Sequence, residues 1–486
     1  MRMTLSQLIA GDAPIPRGAE KIAVDGITAD SRAVKPGFLF VALPGTVVDG
    51  AGFIPQAVSS GAVAVVAGSG VEALGVPLIT ADDPRRLFAR MAARYHGSQP
   101  DIVVAVTGTS GKTSVATFVR EIWTAMGFRA ASLGTVGVVS PAGVMELEHT
   151  TPDALTLQEI AAKLSADHVD HLAIEASSHG LDQRRLDGLR IAAAGFTNLS
   201  HDHLDYHTSL DEYFDAKMRL FEKLLAPGAA AVINVDSARG REAARRARAR
   251  GLDVWNVGEA GDTIRIMNVA REASGQHVAV EIKGRVHAVD LPLVGDFQVS
   301  NALIAAGLVL STGGDEKLVL HALQSLKGAK GRLEFAGRTK AGASVFIDYA
   351  HKPDALENAL SSLRPYTKNK LHVVFGCGGD RDRAKRPIMG EIATRLADRV
   401  YVTDDNPRNE DAALIRAAIM AAAPGAIEIG SRAQAIRTAV VALEAGDVLI
   451  VAGKGHEEGQ KIGKEILPFS DHEAVKAAIE GRDYHG

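Results

Sequence analysis

The run Ile102-Val-Val-Ala-Val-Thr-Gly-Thr-Ser-Gly-Lys-Thr-Ser114 constrains this chain more than any other stretch. Ile102 to Thr107 is almost uniformly apolar, which suits a central parallel strand covered on both faces. A glycine-rich turn follows at once, and Ser114 to Met126 then carries helical periodicity. Strand, glycine loop and helix together let backbone N–H groups converge on an anion at a helix N-terminus. The usual phosphate-loop spacing puts four residues between the first Gly and the Gly-Lys pair. Here Gly108 and Gly111 are separated by only two. The chemistry survives the shortening: Gly108, Thr109, Ser110, Gly111, Lys112, Thr113 and Ser114 form the cradle. Lys112 reaches the terminal phosphates and the Thr113 hydroxyl is placed for Mg2+, so ATP is the expected ligand.

Such a loop needs partners at the ends of neighbouring strands. Glu175 directly follows the apolar run His171 to Ile174, so it falls at the carboxyl edge of the sheet, where the loop also sits, and is the expected metal ligand. Farther on, Phe196-Thr-Asn-Leu-Ser-His-Asp-His-Leu-Asp-Tyr-His207 brings three histidines close together. Zinc would want more nitrogen or sulfur ligands held tightly. Beside a phosphate loop, His203 helping to hold Mg2+ is the better reading. Lys217 lies on a helical pattern, where an isolated lysine is ordinarily a solvated residue.

A chain of 486 residues predicts about three domains. The expected division is 1–98, 99–334 and 335–486. In the first, short apolar strands (Phe38 to Val41, Ala62 to Val66, Pro77 to Thr80) precede a helix over Asp83 to Tyr95, and the polar stretch 95–100 reads as a linker. The second alternates buried strands with helices, the pattern of an α/β fold, and its segment Thr263 to Pro292 alternates like exposed antiparallel structure. The third repeats the α/β pattern, with strands over Phe346 to Asp348, Leu371 to Gly376, Val400 to Thr403 and Val448 to Gly453. Lys plus Arg is 54 against Asp plus Glu at 58, a net charge of -4, which does not favour a nucleic-acid partner. The start MRMTLSQLIAG is too short in apolar residues for a secretory signal, and no run approaches the ~20 apolar residues of a membrane span. With Cys377 the only cysteine, the cytoplasm is the expected compartment.

Taken together, GTSGKTS, Ile174-Glu-Ala-Ser-Ser-His-Gly-Leu181, the histidine stretch at 196–207, the Lys217 helix, Asn301 after Phe297-Gln-Val-Ser, Gly331-Arg-Leu-Glu334 and Asp348-Tyr-Ala-His-Lys-Pro-Asp354 resemble the Mur ligases, whose architecture folylpolyglutamate synthetase shares. The match spans essentially the whole chain in order. The resemblance implies a three-domain α/β enzyme with a central P-loop parallel sheet and a C-terminal Rossmann-like domain. It implies that Lys217 is carbamylated and helps hold Mg2+, that Asn301 and Arg332 touch the nucleotide, and that Asp348 holds its edge from the third domain while His351 orders that loop. For a UDP-N-acetylmuramoyl-L-Ala-D-Glu substrate it points to Ser31 in Thr28-Ala-Asp-Ser-Arg32, Thr150 and Thr151, Ser177, Gln183 and Arg185. His149 departs from the pattern and carries no role, and choosing Arg185 over Arg184 rests on spacing.

In that family, Asp405-Asn-Pro-Arg408 marks the members that add meso-diaminopimelate rather than lysine. A guanidinium pairs bidentately with the distal carboxylate of diaminopimelate and would repel the bare ammonium of lysine. Pro407 fixes the backbone beside Asn406 and Arg408. Arg381 is a further carboxylate partner, Gly453 offers a backbone contact, and Glu457 receives the distal ammonium. The implied reaction is amide formation through an acyl phosphate by a chain acting as a monomer.

Overall fold

The computed structural model describes residues 2–45, 49–72, 75–200, 206–272 and 275–484. They divide into two compact units, residues 1–256 with 307–314, and residues 257–306 with 315–486.

The first unit opens with a parallel four-stranded sheet in chain order: β1 (Gly26–Thr28), β2 (Phe38–Val41), β3 (Ala64–Ala67) and β4 (Leu78–Thr80). Helix α1 (Pro84–His96) begins at Asp83, whose carboxylate caps the Arg86 N–H, with Pro84 in the first turn where a missing N–H costs nothing. Its Leu87, Phe88 and Met91 bury against Leu39, Val41, Val66 and Ile79. The stretch 95–100 is not a loose linker. Gln99 is buried, donating to Gln158 Oε1 (2.9 Å) and Gly188 O (2.8 Å) and accepting from the Arg190 N–H (3.1 Å). Local Gly and Pro suggest a linker, but partners distant in sequence clamp the Gln99 amide.

β5 (Ile102–Thr107) is buried along nearly its whole length and leads through the glycine loop into α2 (Lys112–Ala125). β6 (Ala130–Gly134), β7 (Gly137–Ser140) and β8 (Gly143–Met145) follow, then α3 (Ala154–Ala166), β9 (His171–Glu175), α4 (Ser178–Asp182), β10 (Ile191–Phe196), α5 (Leu210–Arg219) and β11 (Ala230–Asn234). The sheet order runs β8-β7-β6-β9-β5-β10-β11. β6, β9, β5, β10 and β11 are parallel, and β7 and β8 add an antiparallel edge. β5 has β9 on one side and β10 on the other, so the loop after it opens where strand order reverses, the crevice α/β sheets use for ligands. β6 was not legible from pattern: Ala-Ala-Ser-Leu-Gly lacks the β-branched residues that mark strands, and it is buried by its neighbours.

β12 (Asp253–Gly258) carries the chain into the second unit, where β13 (Ile264–Glu272), β14 (Gly275–Ile282) and β15 (Arg285–Leu291) form the expected antiparallel ribbon. A second sheet then combines β16 (Glu334–Arg338), β17 (Ser344–Asp348), β18 (Leu371–Phe375), β19 (Arg399–Val402), β20 (Ile427–Glu428) and β21 (Val448–Ala452) in the order β16-β17-β21-β18-β19-β20. All pairings except β16-β17 are parallel. Strand alternation divides its residues between two cores. Phe346, Val373, Phe375 and Ile450 meet helices α6 (Pro353–Leu363), α7 (Lys385–Leu396) and α8 (Ala412–Met420). Val345, Ile347, Val374 and Leu449 meet α9 (Arg432–Val441) and α10 (Asp471–Glu480). The loops after β17, β18, β19 and β21 therefore gather at one edge. Among the described residues no helix is long and apolar enough to cross a membrane.

Candidate active site

Backbone contacts shape the phosphate loop. Gly108 has φ +146°, and a Cβ there would lie 1.9 Å from Thr197 Oγ1, so only glycine fits. The segment after β10 braces the loop from outside. The Thr109 N–H donates to Asn198 O (2.9 Å), the Ser110 N–H to Asn198 Oδ1 (3.0 Å), and Thr197 Oγ1 to Ser110 O (2.6 Å). Gly111, in the left-handed region, caps α2, which puts Lys112, Thr113 and Ser114 in its first turn. Lys112 Nζ folds over the loop onto Gly108 O (2.9 Å) and Thr109 O (2.8 Å).

Glu175 ends β9 and is 2% exposed. One carboxylate oxygen accepts from the Thr135 N–H (2.8 Å), the other from Thr113 Oγ1 (3.1 Å) and Thr135 Oγ1 (3.2 Å). The loop threonine and this carboxylate, each expected separately to hold the metal, are hydrogen-bonded to one another. Thr135 was missed, and so was Gly134, whose added Cβ would fall 2.0 Å from Glu175 Oε1. Neither carries a signal outside tertiary structure.

Lys217, on α5, is 1% exposed rather than solvated. Its Nζ donates to Gly108 O at 2.8 Å and stands 4.2 Å from the Tyr213 ring centroid. One carbonyl oxygen thus receives two ammonium groups, from Lys112 and Lys217. His203 lies outside the described residues, and among those described no group of three His, Cys, Asp or Glu side chains converges on a metal position.

A cavity of about 880 Å³ opens between the first sheet's loops and the α3 N-terminus, lined by Ser31, Gln183 and Arg185 among the expected residues. Thr28, Arg85 and Phe88 line it too and were missed. Ser31 Oγ donates to Gln56 Oε1 (3.1 Å). Arg185 clasps Gln183 Oε1 through Nε (3.2 Å) and Nη2 (2.8 Å), which favours it over Arg184, whose Nε pairs with Asp83 (2.8 Å). Burial lowers the Arg185 pKa against the pull of Asp153, and the charge of Arg85 adds to the lowering. Arg32, Arg85 and Arg185 line the cavity against Asp30 and Asp153, and this excess of guanidinium over carboxylate favours an anion. Thr150, Thr151 and Ser177 do not line the cavity but connect it to the loop. Arg185 Nη1 donates to Thr151 O (2.5 Å), Thr151 Oγ1 to Glu175 O (2.8 Å), and Ser177 Oγ to Thr151 Oγ1 (3.0 Å), while Thr150 and Thr135 hydroxyls meet at 3.1 Å.

In the second unit, Asn301, Arg332 and Asp348 form one group. Asn301 Nδ2 donates to Gln298 Oε1 (3.1 Å) and Gln298 Nε2 to Arg332 O (3.2 Å). The Asp348 carboxylate accepts from the Leu333 (2.6 Å) and Ala350 (2.8 Å) N–H groups, and burial pushes its pKa up against the opposing charge of Arg332. The Arg332 guanidinium lies 4.9 Å from the Tyr349 ring centroid. His351, pushed down to about 4 by burial, is neutral and donates from Nδ1 to Tyr349 O (2.9 Å), ordering the loop as expected.

Across the same edge, Asp405, Asn406 and Pro407 are buried after β19, and Arg408 takes φ +51°. Arg408 Nη1 donates to Gly379 O (2.8 Å), and a Cβ on Gly378 would meet that Nη1 at 2.6 Å. Gly453 has φ +118°, and a Cβ on it would meet Asp405 Oδ2 at 2.5 Å. Asn406 Nδ2 donates to Glu457 Oε2 at 2.9 Å. Arg381 lies exposed on the turn that follows Gly379. Lys454, missed in the sequence, is fully buried between Asn406 and Glu457.

Residues 23–96 match the family model described as Mur ligase family, catalytic domain; 106–309 match the Mur ligase middle domain; and 331–455 match the Mur ligase, glutamate ligase domain. The chain is 56% identical over 477 residues to the UDP-N-acetylmuramoyl-L-alanyl-D-glutamate--2,6-diaminopimelate ligase of Mesorhizobium japonicum, covering 98% of this chain and 99% of that protein. It is 56% identical over 458 residues to the ligase of the same name from Agrobacterium fabrum, covering 94% of each. A solved structure of a UDP-N-acetylmuramoyl-L-alanyl-D-glutamate--2,6-diaminopimelate ligase superposes with a TM-score of 0.76 at 32% identity, covering 99% of both chains.

Proposed function

The chain belongs to the Mur ligase family, and from that premise we propose that it ligates 2,6-diaminopimelate to UDP-N-acetylmuramoyl-L-alanyl-D-glutamate at the expense of ATP, in peptidoglycan precursor synthesis. One observation carries the reading: a phosphate loop and an anion-favouring cavity are joined by the hydrogen-bonded run Arg185–Thr151–Glu175–Thr113. A ligase that must first phosphorylate a carboxylate needs such a nucleotide site and acid site side by side.

We assign the finer steps as follows. The γ-phosphoryl group of ATP moves to the D-Glu γ-carboxylate, giving an acyl phosphate and ADP. The amine of meso-diaminopimelate attacks the acyl carbon, and phosphate leaves. The loop N–H groups and Lys112 hold the phosphates and offset charge as the two anions approach. Ser31, Gln183 and Arg185 hold the UDP-linked dipeptide, with Thr150, Thr151 and Ser177 behind them. Asn301, Arg332 and Asp348 hold the nucleotide edge. Arg408 and Arg381 take the distal carboxylate of diaminopimelate, Glu457 its ammonium, and Gly453 contributes backbone.

Mg2+ fits the donors beside the loop, because the Thr113 hydroxyl and the Glu175 carboxylate are hard oxygen groups 3.1 Å apart. With His203 and Lys217 they are the residues assigned to hold it, and when bound it neutralises charge on the phosphates. Carbamylation of Lys217 suits its setting, since it replaces one of two ammoniums sharing Gly108 O with an anion. The matched ranges support three domains at 1–98, 99–334 and 335–486. We infer a cytoplasmic monomer: a single cysteine, Cys377, suits a reducing compartment, and one chain carries the residues assigned to nucleotide, UDP-substrate and amino acid.

The test is ADP release with UDP-N-acetylmuramoyl-L-Ala-D-Glu, comparing meso-diaminopimelate with L-lysine as acceptor. Release with diaminopimelate alone is expected. Equal release with lysine would overturn the role of Arg408, and release with neither acceptor would overturn the ligase reading.

A further inference from the structure

Lys454 is a lysine with no surface. It follows β21 in Gly453-Lys-Gly-His-Glu457 and is 0% exposed. An ammonium carries three donors and is costly to bury unless each is met. Here Nζ donates to Gly459 O (2.7 Å), Asn406 Oδ1 (2.9 Å) and Glu457 Oε2 (3.3 Å), so the set is complete.

The partners matter more than the burial. Asn406 Oδ1 accepts from Lys454 Nζ and from the Lys461 N–H (2.9 Å). Its amide is thereby oriented with Nδ2 toward Glu457 Oε2, where it donates at 2.9 Å. Glu457 Oε2 consequently receives two donors from inside the fold, and its side chain is 32% exposed. The carboxylate cannot swing without breaking both contacts, and Oε1 is the oxygen left to face outward. The Asn406 amide spends both acceptor positions of Oδ1 and one of its two Nδ2 donors inside this network. Gln460 Nε2 donates to Asp405 O (2.7 Å), and the Arg408 N–H donates to Lys461 O (3.0 Å), so the Arg408 backbone is tied to the same loop.

We propose that Lys454 is the positioning residue of the amino-acid pocket, holding Glu457 through a buried ammonium so that Oε1 meets the distal ammonium of a zwitterionic acceptor. This rests on the ligase reading above. Lys454 touches no substrate and acts through Glu457 and Asn406. The ordinary expectation for a lysine in a glycine-rich loop, a mobile phosphate contact, does not fit a side chain whose three donors are all taken inside the fold.

The experiment measures ADP release by Lys454→Met, which keeps the apolar stem and removes the ammonium, with each substrate varied in turn. The expected result is a KM for meso-diaminopimelate raised at least about tenfold, with KM for ATP and for the UDP-dipeptide within about twofold. In a Glu457→Gln background the same substitution should add less than about twofold, because Lys454 acts through that carboxylate. Lys454→Gln, which keeps two N–H donors without the charge, should fall between wild type and Lys454→Met and decides the matter by the same split if the Met variant does not fold. Equal changes in all three KM values, a loss confined to kcat, or full multiplication with Glu457→Gln would overturn the proposal. Wild-type protein that releases ADP with neither acceptor would instead overturn the ligase reading, whatever the variants do.

Discussion

Gly134→Ala tests whether Glu175 is the carboxylate that completes the phosphate site. Gly134 is not in the left-handed region, so alanine meets no backbone penalty there. The added methyl would lie 2.0 Å from Glu175 Oε1, 2.4 Å from Cδ and 2.5 Å from Cγ, so the whole side chain must move and not merely its tip. Glu175 is 2% exposed and has no solvent to move into. Losing two of its hydrogen bonds from Thr113 and Thr135 forfeits about 1.5–3 kcal/mol each, since the acceptor is charged. If that carboxylate serves the reaction, ~3–6 kcal/mol becomes a fall of about 10²–10⁴ in kcat. The assay is steady-state ADP release at saturating substrates, repeated across a Mg2+ titration. Gly68→Ala is the control, because its nearest neighbour is Pro84 Cγ at 4.0 Å, and it should behave as wild type. A folded Gly134→Ala protein with turnover within about threefold of wild type at every Mg2+ concentration would refute the assignment of Glu175.

Other outcomes follow from the same geometry. Arg408→Ala should raise KM for meso-diaminopimelate about tenfold or more and leave KM for ATP nearly unchanged, measured by the same release assay. Lys217→Ala should lose turnover, and short-chain carboxylates added to the assay should restore part of it; full activity without them would sink the carbamate. Arg432 and Asp471 form an ion pair at 2.7 Å with both side chains 0% exposed, so Arg432→Met should cost about 3–5 kcal/mol of stability in denaturant unfolding, and a loss under about 1 kcal/mol would contradict a buried unpaired carboxylate. Burial pushes His351 and His456 down from 6.5 to about 4. Below pH 6.5 the unfolded chain binds protons that the folded chain refuses, so stability is full above that pH and is lost as pH falls toward 4, by roughly 2 kcal/mol per histidine at pH 5. Urea unfolding at pH 8 and pH 5 should show the drop, and His351→Gln with His456→Gln should remove much of it.

How much of this was legible in the chain depends on whether the cause was local. A run of five apolar residues and a threonine followed by Gly108-Thr-Ser-Gly-Lys-Thr-Ser114 can hardly do other than make a buried strand, an anion cradle and a helix, because each step is set by neighbours in sequence. Period-two alternation over 263–292 likewise announced an antiparallel ribbon. Order along the chain was enough to place Glu175, Asp405 and Gly453 after strands, hence at the functional edge of their sheets. Exposure was beyond that reading. Lys217 and Lys454 look like solvated lysines until helix and loop packing close over them, and what makes each tolerable is an acceptor 109 or 48 residues away. Gly134 belongs to no motif, and Asn198 is unmarked within the stretch 196–207, since the reason for each is a distant segment: the Glu175 side chain for one, the Ser110 N–H of the phosphate loop for the other. The stretch 95–100 reads as a linker from its Gly and Pro, yet Gln99 is clamped by groups 59 and 89 residues on. Local backbone preference and hydrophobic period are properties of sequence; the burial of a charge, and the oxygen that makes burial affordable, exist only once distant segments share the same space.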